Sequence, residues 1–162
     1  MITLVLGGAR SGKSAVAEGL CGDGPVVYVA TGVVRDSDMA ARVAAHQARR
    51  PASWSTVEAG ADVAAAVRGA ASEVTVVVDS LTTWVAEADG FAVDTANLCA
   101  VLGGRAGNTV VVSDEVGLGV HPSTEAGRRF RDALGEVNQA VAAAADRVLL
   151  VVAGRVLPLE RP

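Results

Sequence analysis

Aromatic side chains are nearly absent from this chain: two tryptophans, one tyrosine and two phenylalanines make up 3% of its 162 residues. A core built on stacked rings is therefore excluded. The apolar 51% is mostly valine and alanine, a composition suited to buried valine-rich strands covered by alanine-rich helices, as in α/β layer folds. An excess of positive charge is also missing. The net charge is −4, so no uniform basic field exists to attract a phosphate backbone, and a general nucleic-acid binder is disfavoured. Cysteine is scarce too: Cys21 and Cys99 are far apart and belong to no CxxC or Cys/His array. That speaks against both a zinc framework and a disulfide framework, and both thiols are expected to be reduced and packed. No apolar run approaches membrane-spanning length, because Asp146 and Arg147 interrupt the longest candidate. The first strand starts at Ile2, which leaves no room for a cleavable leader and makes the cytoplasm the expected location. One domain over 1–162 with one substantial core is expected from the length.

What is present begins with Gly7-Gly8-Ala9-Arg10-Ser11-Gly12-Lys13-Ser14. This stretch fits the phosphate-binding pattern GxxxxGK followed by Ser or Thr, and its surroundings agree with it. An apolar β-type run over 2–6 precedes the stretch, and 15–20 reads as a helix. Glycines permit a tight turn whose N–H groups point inward and form a nest for polyphosphate oxygens. Lys13 is then expected at the terminal phosphates and the Ser14 hydroxyl on Mg²⁺.

Gly22-Asp23-Gly24-Pro25 is a turn, and Val26-Val27-Tyr28-Val29-Ala30 reads as a second buried strand. A helix is expected over 36–49, capped by Asp36 or Ser37 and stopped by Pro51. At about 100° per residue its Met39, Val43, His46 and Arg50 share one side, with Arg42 and Arg49 at the edge. Two readings fit. The group is either a solvated basic face with an incidental histidine, or a set of arginines gathered around an anion such as a triphosphate. Like charges at helical spacing repel unless such an anion sits among them. In the second case the arginines disfavour the imidazolium and leave His46 neutral, the state a nucleophile or base needs.

A short strand follows over 54–57, a helix over 62–70 and a valine-rich strand over 74–78 that ends in Asp79. Four valines in the five residues 74–78 and then an acid make a Walker B pattern, in which the acid holds Mg²⁺ or its water shell. Helices are expected over 81–88 and 94–102, the latter capped by Asp94 or Thr95, with Trp84 and Phe91 as packing residues. The strand over 109–112 runs into Ser113-Asp114-Glu115-Val116-Gly117-Leu118-Gly119. Carboxyl ends of parallel strands line the ligand crevice, so Asp114 and Glu115 either join Asp79 at the phosphate loop or merely solvate a turn. On the long helix over 124–145, Phe130, Leu134, Val137 and Val141 form the core stripe. Its Arg128, Arg129 and Arg131 are either surface charges or a second anion site. A last buried strand covers 148–152, and 154–159 is an edge element containing Pro158.

Several stretches together resemble one family, the bifunctional adenosylcobinamide kinase/adenosylcobinamide-phosphate guanylyltransferases of cobalamin biosynthesis. They are GGARSGKS, YVATG at 28–32, DSDMAARVAAHQARRPASWSTVE, VVVDSLTTW, VSDEVGLGVHP and RRFRDALGEVNQAVAAAADRVLLVVAG. They follow the family's order over nearly the whole chain, and the RVxxHxxRRPxxWxTxE and RRFRDxxGxxNQ runs are specific to it. The resemblance implies a RecA-like phosphate-loop fold with a mostly parallel central sheet flanked by helices. It implies phosphorylation of a hydroxyl of adenosylcobinamide, with ATP or GTP as nucleotide substrates. Transfer of GMP from GTP through a guanylylated His46 follows, with release of pyrophosphate. Lys13, Asp79 and His46 are the implied catalytic residues. Mg²⁺ falls to Ser14 and Asp79, and Arg42, Arg49, Arg50 and Glu58 join the loop in nucleotide binding. A homotrimer without nucleic-acid or membrane partners is expected. The chain departs from the family pattern at Asp114, commonly asparagine, at His121, more usually aliphatic, and at Glu87, often asparagine. These departures bear on corrinoid contacts and on the balance of the two activities.

Three other readings compete. A plain small-metabolite kinase needs only the loop, Mg²⁺ and an acceptor, with His46 as a phosphate clamp. A regulatory nucleotide switch wants an NKxD-type guanine motif, which is missing. A RecA-like motor wants an inter-subunit arginine finger, for which Arg128 or Arg129 is available.

Overall fold

A computed structural model describes residues 1–32 and 50–161 of the chain. The helix expected over 36–49 lies outside the described residues, and with it His46, Arg42 and Arg49. The strands are β1 (Ile2–Gly7), β2 (Val26–Ala30), β3 (Trp54–Glu58), β4 (Thr75–Asp79), β5 (Thr109–Asp114), β6 (Arg147–Val152) and β7 (Arg155–Leu159). They form one seven-stranded sheet in the order β3-β2-β4-β5-β1-β6-β7. Every neighbouring pair is parallel except β6 and β7, which are antiparallel. The helices are α1 (Lys13–Gly19), α2 (Val63–Gly69), α3 (Leu81–Glu87), α4 (Thr95–Gly103) and α5 (Glu125–Ala144).

Side chains alternate across a strand, and valine-rich strands buried on both faces follow from that. Leu4 and Leu6 of β1 face one apolar cluster, with Val63, Leu81, Trp84, Leu98 and Leu134 from α2 to α5. Val5 faces the opposite cluster, with Ala17 of α1, Tyr28, Val77 and Val112. On α5 the expected stripe holds: Leu134, Val137 and Val141 are buried, and Phe130 meets Phe91 edge-on at 5.5 Å between ring centroids. Trp84 is buried as a packing residue, its indole N–H donating to the Ala61 carbonyl at 3.0 Å. Asp62, Ser80, Asp94 and Thr124 each cap the helix they precede with a side-chain oxygen, satisfying N–H groups that have no intrahelical partner. Pro158 is accommodated because β7 is the sheet edge and needs no second ladder. Both cysteines are free. Burial, and secondarily the Glu18 charge, push the Cys21 thiol up to about 11, and burial likewise raises Cys99, so neither is a ready nucleophile. No described helix is long and apolar enough to cross a membrane.

One surface device closes the bottom of the sheet. The Arg105 guanidinium donates to the carbonyls of Val67, Ala70, Ala71 and Val74, at 2.6 to 3.2 Å. It thereby braces the turn where α2 ends and the chain enters β4, bonding carbonyls of which those of Val67 and Ala71 also accept a backbone N–H. Arg105→Met keeps the aliphatic stem and removes all these donors. We expect a loss of about 2 kcal/mol, read as a lower urea midpoint with an unchanged slope.

Candidate active site

β1 is buried throughout and stops at Gly7. A Cβ at Gly7 would stand 2.5 Å from Ser11 Oγ and 2.7 Å from the Val151 carbonyl oxygen, so only glycine lets the chain turn here. The Ser11 N–H donates to the Gly8 carbonyl at 3.2 Å. Arg10 and Gly12 take left-handed backbone conformations, φ 57° and 95°, which helps turn successive N–H groups toward one concavity. The turn between β6 and β7 braces the loop, since the Gly154 N–H donates to the Ser11 carbonyl at 2.8 Å. Lys13, the only lysine in the sequence, extends from the first position of α1. Its Nζ lies 2.5 Å from Asp114 Oδ1 and 3.3 Å from the Gly8 carbonyl oxygen.

Strand order decides which acid reaches the loop. β5 lies between β1 and β4, with Gly7 opposite Asp114 and Val112 opposite Asp79. Asp114 therefore stands beside the loop, and Asp79 is one strand farther away. Asp79 accepts a hydrogen bond from the Tyr28 hydroxyl. Burial first, then the Asp79 charge and this hydrogen bond, hold the Tyr28 phenol well above its usual pKa, so it remains a donor. The strand end is further fixed by Thr31, whose hydroxyl accepts from the Ser80 N–H at 2.9 Å and lies 2.7 Å from the Ser80 carbonyl oxygen. Glu115 is turned to its own loop, accepting from the Gly117 N–H at 2.8 Å. Of the two alternatives for Asp114 and Glu115, the site holds for the first residue and the turn for the second.

Asp114 is also held through its backbone. Its N–H donates to Thr82 Oγ1 at 2.8 Å, its carbonyl accepts from Asn138 Nδ2 at 3.1 Å, and the next N–H donates to the Gly7 carbonyl at 3.2 Å. Neither Thr82 nor Asn138 was identifiable as a site residue from sequence; each sits within a family stretch, but nothing local reveals its partner. Tyr28 looked like one more buried strand residue for the same reason.

The remaining expected residues are dispersed. Arg50 stacks over the Tyr28 ring, its guanidinium carbon 3.3 Å from the ring centroid, with Nε 3.9 Å from Glu18 Oε1. That is a packed cation–π position. Glu58 ends β3 and is exposed. Arg128 donates to the Pro122 and Ser123 carbonyls and Arg131 pairs with Asp132 at 2.8 Å, so both brace local structure. Ser14 follows Lys13 on α1. No group of three or more His, Cys, Asp or Glu residues gathers among the described residues. A hydroxyl with one or two carboxylates is the hard-oxygen set that suits Mg²⁺ when substrate phosphates complete its shell.

The family model described as cobinamide kinase / cobinamide phosphate guanyltransferase matches residues 3–159. The bifunctional adenosylcobalamin biosynthesis protein CobP of Pseudomonas aeruginosa is 41% identical over 172 aligned residues, covering 99% of this chain and 98% of that one. The corresponding CobU protein of Salmonella typhimurium is 38% identical, covering 95% and 97%. Among solved structures, an ATPase from the type III secretion system of pathogenic bacteria aligns with a TM-score of 0.55 at 14% identity, over 92% of this chain and 50% of that one. This last likeness is one of fold: a phosphate-loop sheet with helices on both faces.

Gly7 and Gly8 separate packing from chemistry in the loop. Gly7→Ala drives a methyl group into a backbone carbonyl, whereas at Gly8 nothing lies within 4 Å. We expect Gly7→Ala to cost about 1–3 kcal/mol in unfolding free energy and to weaken nucleotide binding at least about tenfold. Gly8→Ala is expected to leave the unfolding midpoint unchanged. Thermal melts and nucleotide titrations of both variants check this.

Proposed function

The chain belongs to the cobinamide kinase / cobinamide phosphate guanyltransferase family, and from that premise we propose that its one phosphate loop serves two successive transfers. In the first, a hydroxyl oxygen of adenosylcobinamide attacks the γ-phosphorus of a nucleoside triphosphate, the bond to the bridging oxygen breaks, and the diphosphate leaves. In the second, an imidazole nitrogen of His46 attacks the α-phosphorus of GTP and pyrophosphate departs. The phosphate of adenosylcobinamide phosphate then takes the GMP, and the P–N bond breaks. The observation that carries the phosphoryl-transfer reading is the loop itself. The chain's only lysine is aimed across it, and two carboxylates stand at the ends of the next two strands.

Mg²⁺, when bound, offsets the charge of the phosphates. Ser14 and Asp79 are the residues that would hold it, Asp79 oriented by Tyr28. Lys13 supplies a fixed positive charge where negative charge develops on the transferred group. Arg42 and Arg49, four residues before and three after His46 in the sequence, would neutralise the phosphate under attack and the departing pyrophosphate. Arg50, next in the chain after Arg49, is itself held against the sheet by its stack on Tyr28.

The phosphoramidate formed at His46 is labile in acid and comparatively stable in base, because protonation of nitrogen makes it a leaving group. With α-labelled GTP and Mg²⁺, the wild-type protein is expected to retain label through alkali and lose it in acid. His46→Ala is expected to take no label, to lose guanylyl transfer and to keep forming adenosylcobinamide phosphate. Equal labelling of the two proteins would exclude His46 as nucleophile, and no label in either would leave the plain kinase.

A homotrimer belongs to the same proposal. Val152, Val156, Leu157 and Leu159 of the edge hairpin are 40–60% exposed, and Leu118 and Val120 are 80% and 95% exposed. An open strand edge with apolar side chains is a surface that self-association would cover. Light scattering on the eluted protein is expected to give about three chain masses, with Leu157→Glu shifting it toward one.

A further inference from the structure

We infer that Asp114 is an internal competitor for the nucleotide, holding Lys13 until a phosphate displaces it. The inference rests on the loop being a nucleotide site and goes beyond it, assigning to Asp114 the setting of affinity. Lys13 Nζ and Asp114 Oδ1 are 2.5 Å apart, with side chains 13% and 23% exposed, so the pair is partly withdrawn from water and stronger than a surface contact. Asp114 cannot easily withdraw. Its N–H is held by Thr82 of α3, its carbonyl by Asn138 of α5, and the following N–H by the Gly7 carbonyl. An arriving phosphate must therefore draw the lysine off a carboxylate that stays in place. What counts toward binding is the difference between two charge-assisted contacts. Asp79 does not play this part, being engaged by Tyr28 and separated from β1 by β5. The consequence is a weaker hold and faster release of nucleotide, which suits a loop that must empty between two transfers.

The test is binding of GTP in EDTA, without Mg²⁺, so that any metal-ligand role of the carboxylates is silent. Asp114→Asn is expected to bind about five- to tenfold more tightly than wild type, chiefly through slower dissociation, while Asp79→Asn changes affinity less than about twofold. Thr82→Val, which removes one of the bonds holding the Asp114 backbone and so lets its carboxylate yield to a phosphate, is expected to tighten binding about twofold, and it carries the test should Asp114→Asn fail to fold. Unchanged or weaker binding by Asp114→Asn, or by Thr82→Val in its place, overturns the inference. Equal tightening by Asp79→Asn overturns it in favour of plain repulsion between carboxylate and phosphate. Failure of the wild type to bind GTP either in EDTA or with Mg²⁺ restored would overturn the phosphate-loop reading with it. Whether the chain performs the two transfers is read separately, by the kinase and guanylyl-transfer assays with Mg²⁺.

Discussion

A positive charge has to be kept extended over the phosphate loop before any phosphate is there, and in this protein the partner that keeps it so is Asp114. Lys13 sits on the first turn of a short helix at the mouth of a buried strand. The Gly8 carbonyl alone, 3.3 Å from its Nζ, would be a weak hold on a partly buried ammonium. The pair between α1 and the end of β5 gives it one direction. That requirement explains the hydrogen bonds from two helices around a single aspartate.

The interposed strand β5 is the structural cause. Had β1 and β4 been neighbours, Asp79 would have faced the lysine directly, and metal site and lysine partner would have been one group. With β5 between them, the two carboxylates are separated and held by different means. Asp79 is oriented by a buried phenol, and Asp114 through its backbone. The two faces of the sheet divide the task. Tyr28 and Arg50 belong with the α1 face, while Thr82 and Asn138 come from helices packed on the opposite one. A site assembled from both layers is indifferent to a small shift of either, because its references are strand ends joined by ladder hydrogen bonds.

Valine-rich strands, a helix cap at Asp94 or Thr95, and the phosphate loop were all legible in the sequence, because each depends on residues within one turn or one strand. The loop's identity needed only its glycines, its lysine, and a strand and helix on either side. The family's motifs brought His46 and Asp79 forward in the same local way. Strand order was not legible: three valines running to an acid, directly at Asp79 and after Ser113 at Asp114, read much alike at β4 and β5, and nothing local tells which lies against β1. Tertiary structure alone decided that Asp114 meets Lys13 and that Arg50 rests on Tyr28. These contacts join residues 101 and 22 positions apart respectively in the numbering and are set by how the layers pack. Sequence by itself thus determined the elements and the chemical groups available at their ends. Which of those groups meet was decided by the packing of two helical layers on one sheet, since hydrophobic burial fixes strand neighbours and strand neighbours fix which charges face each other.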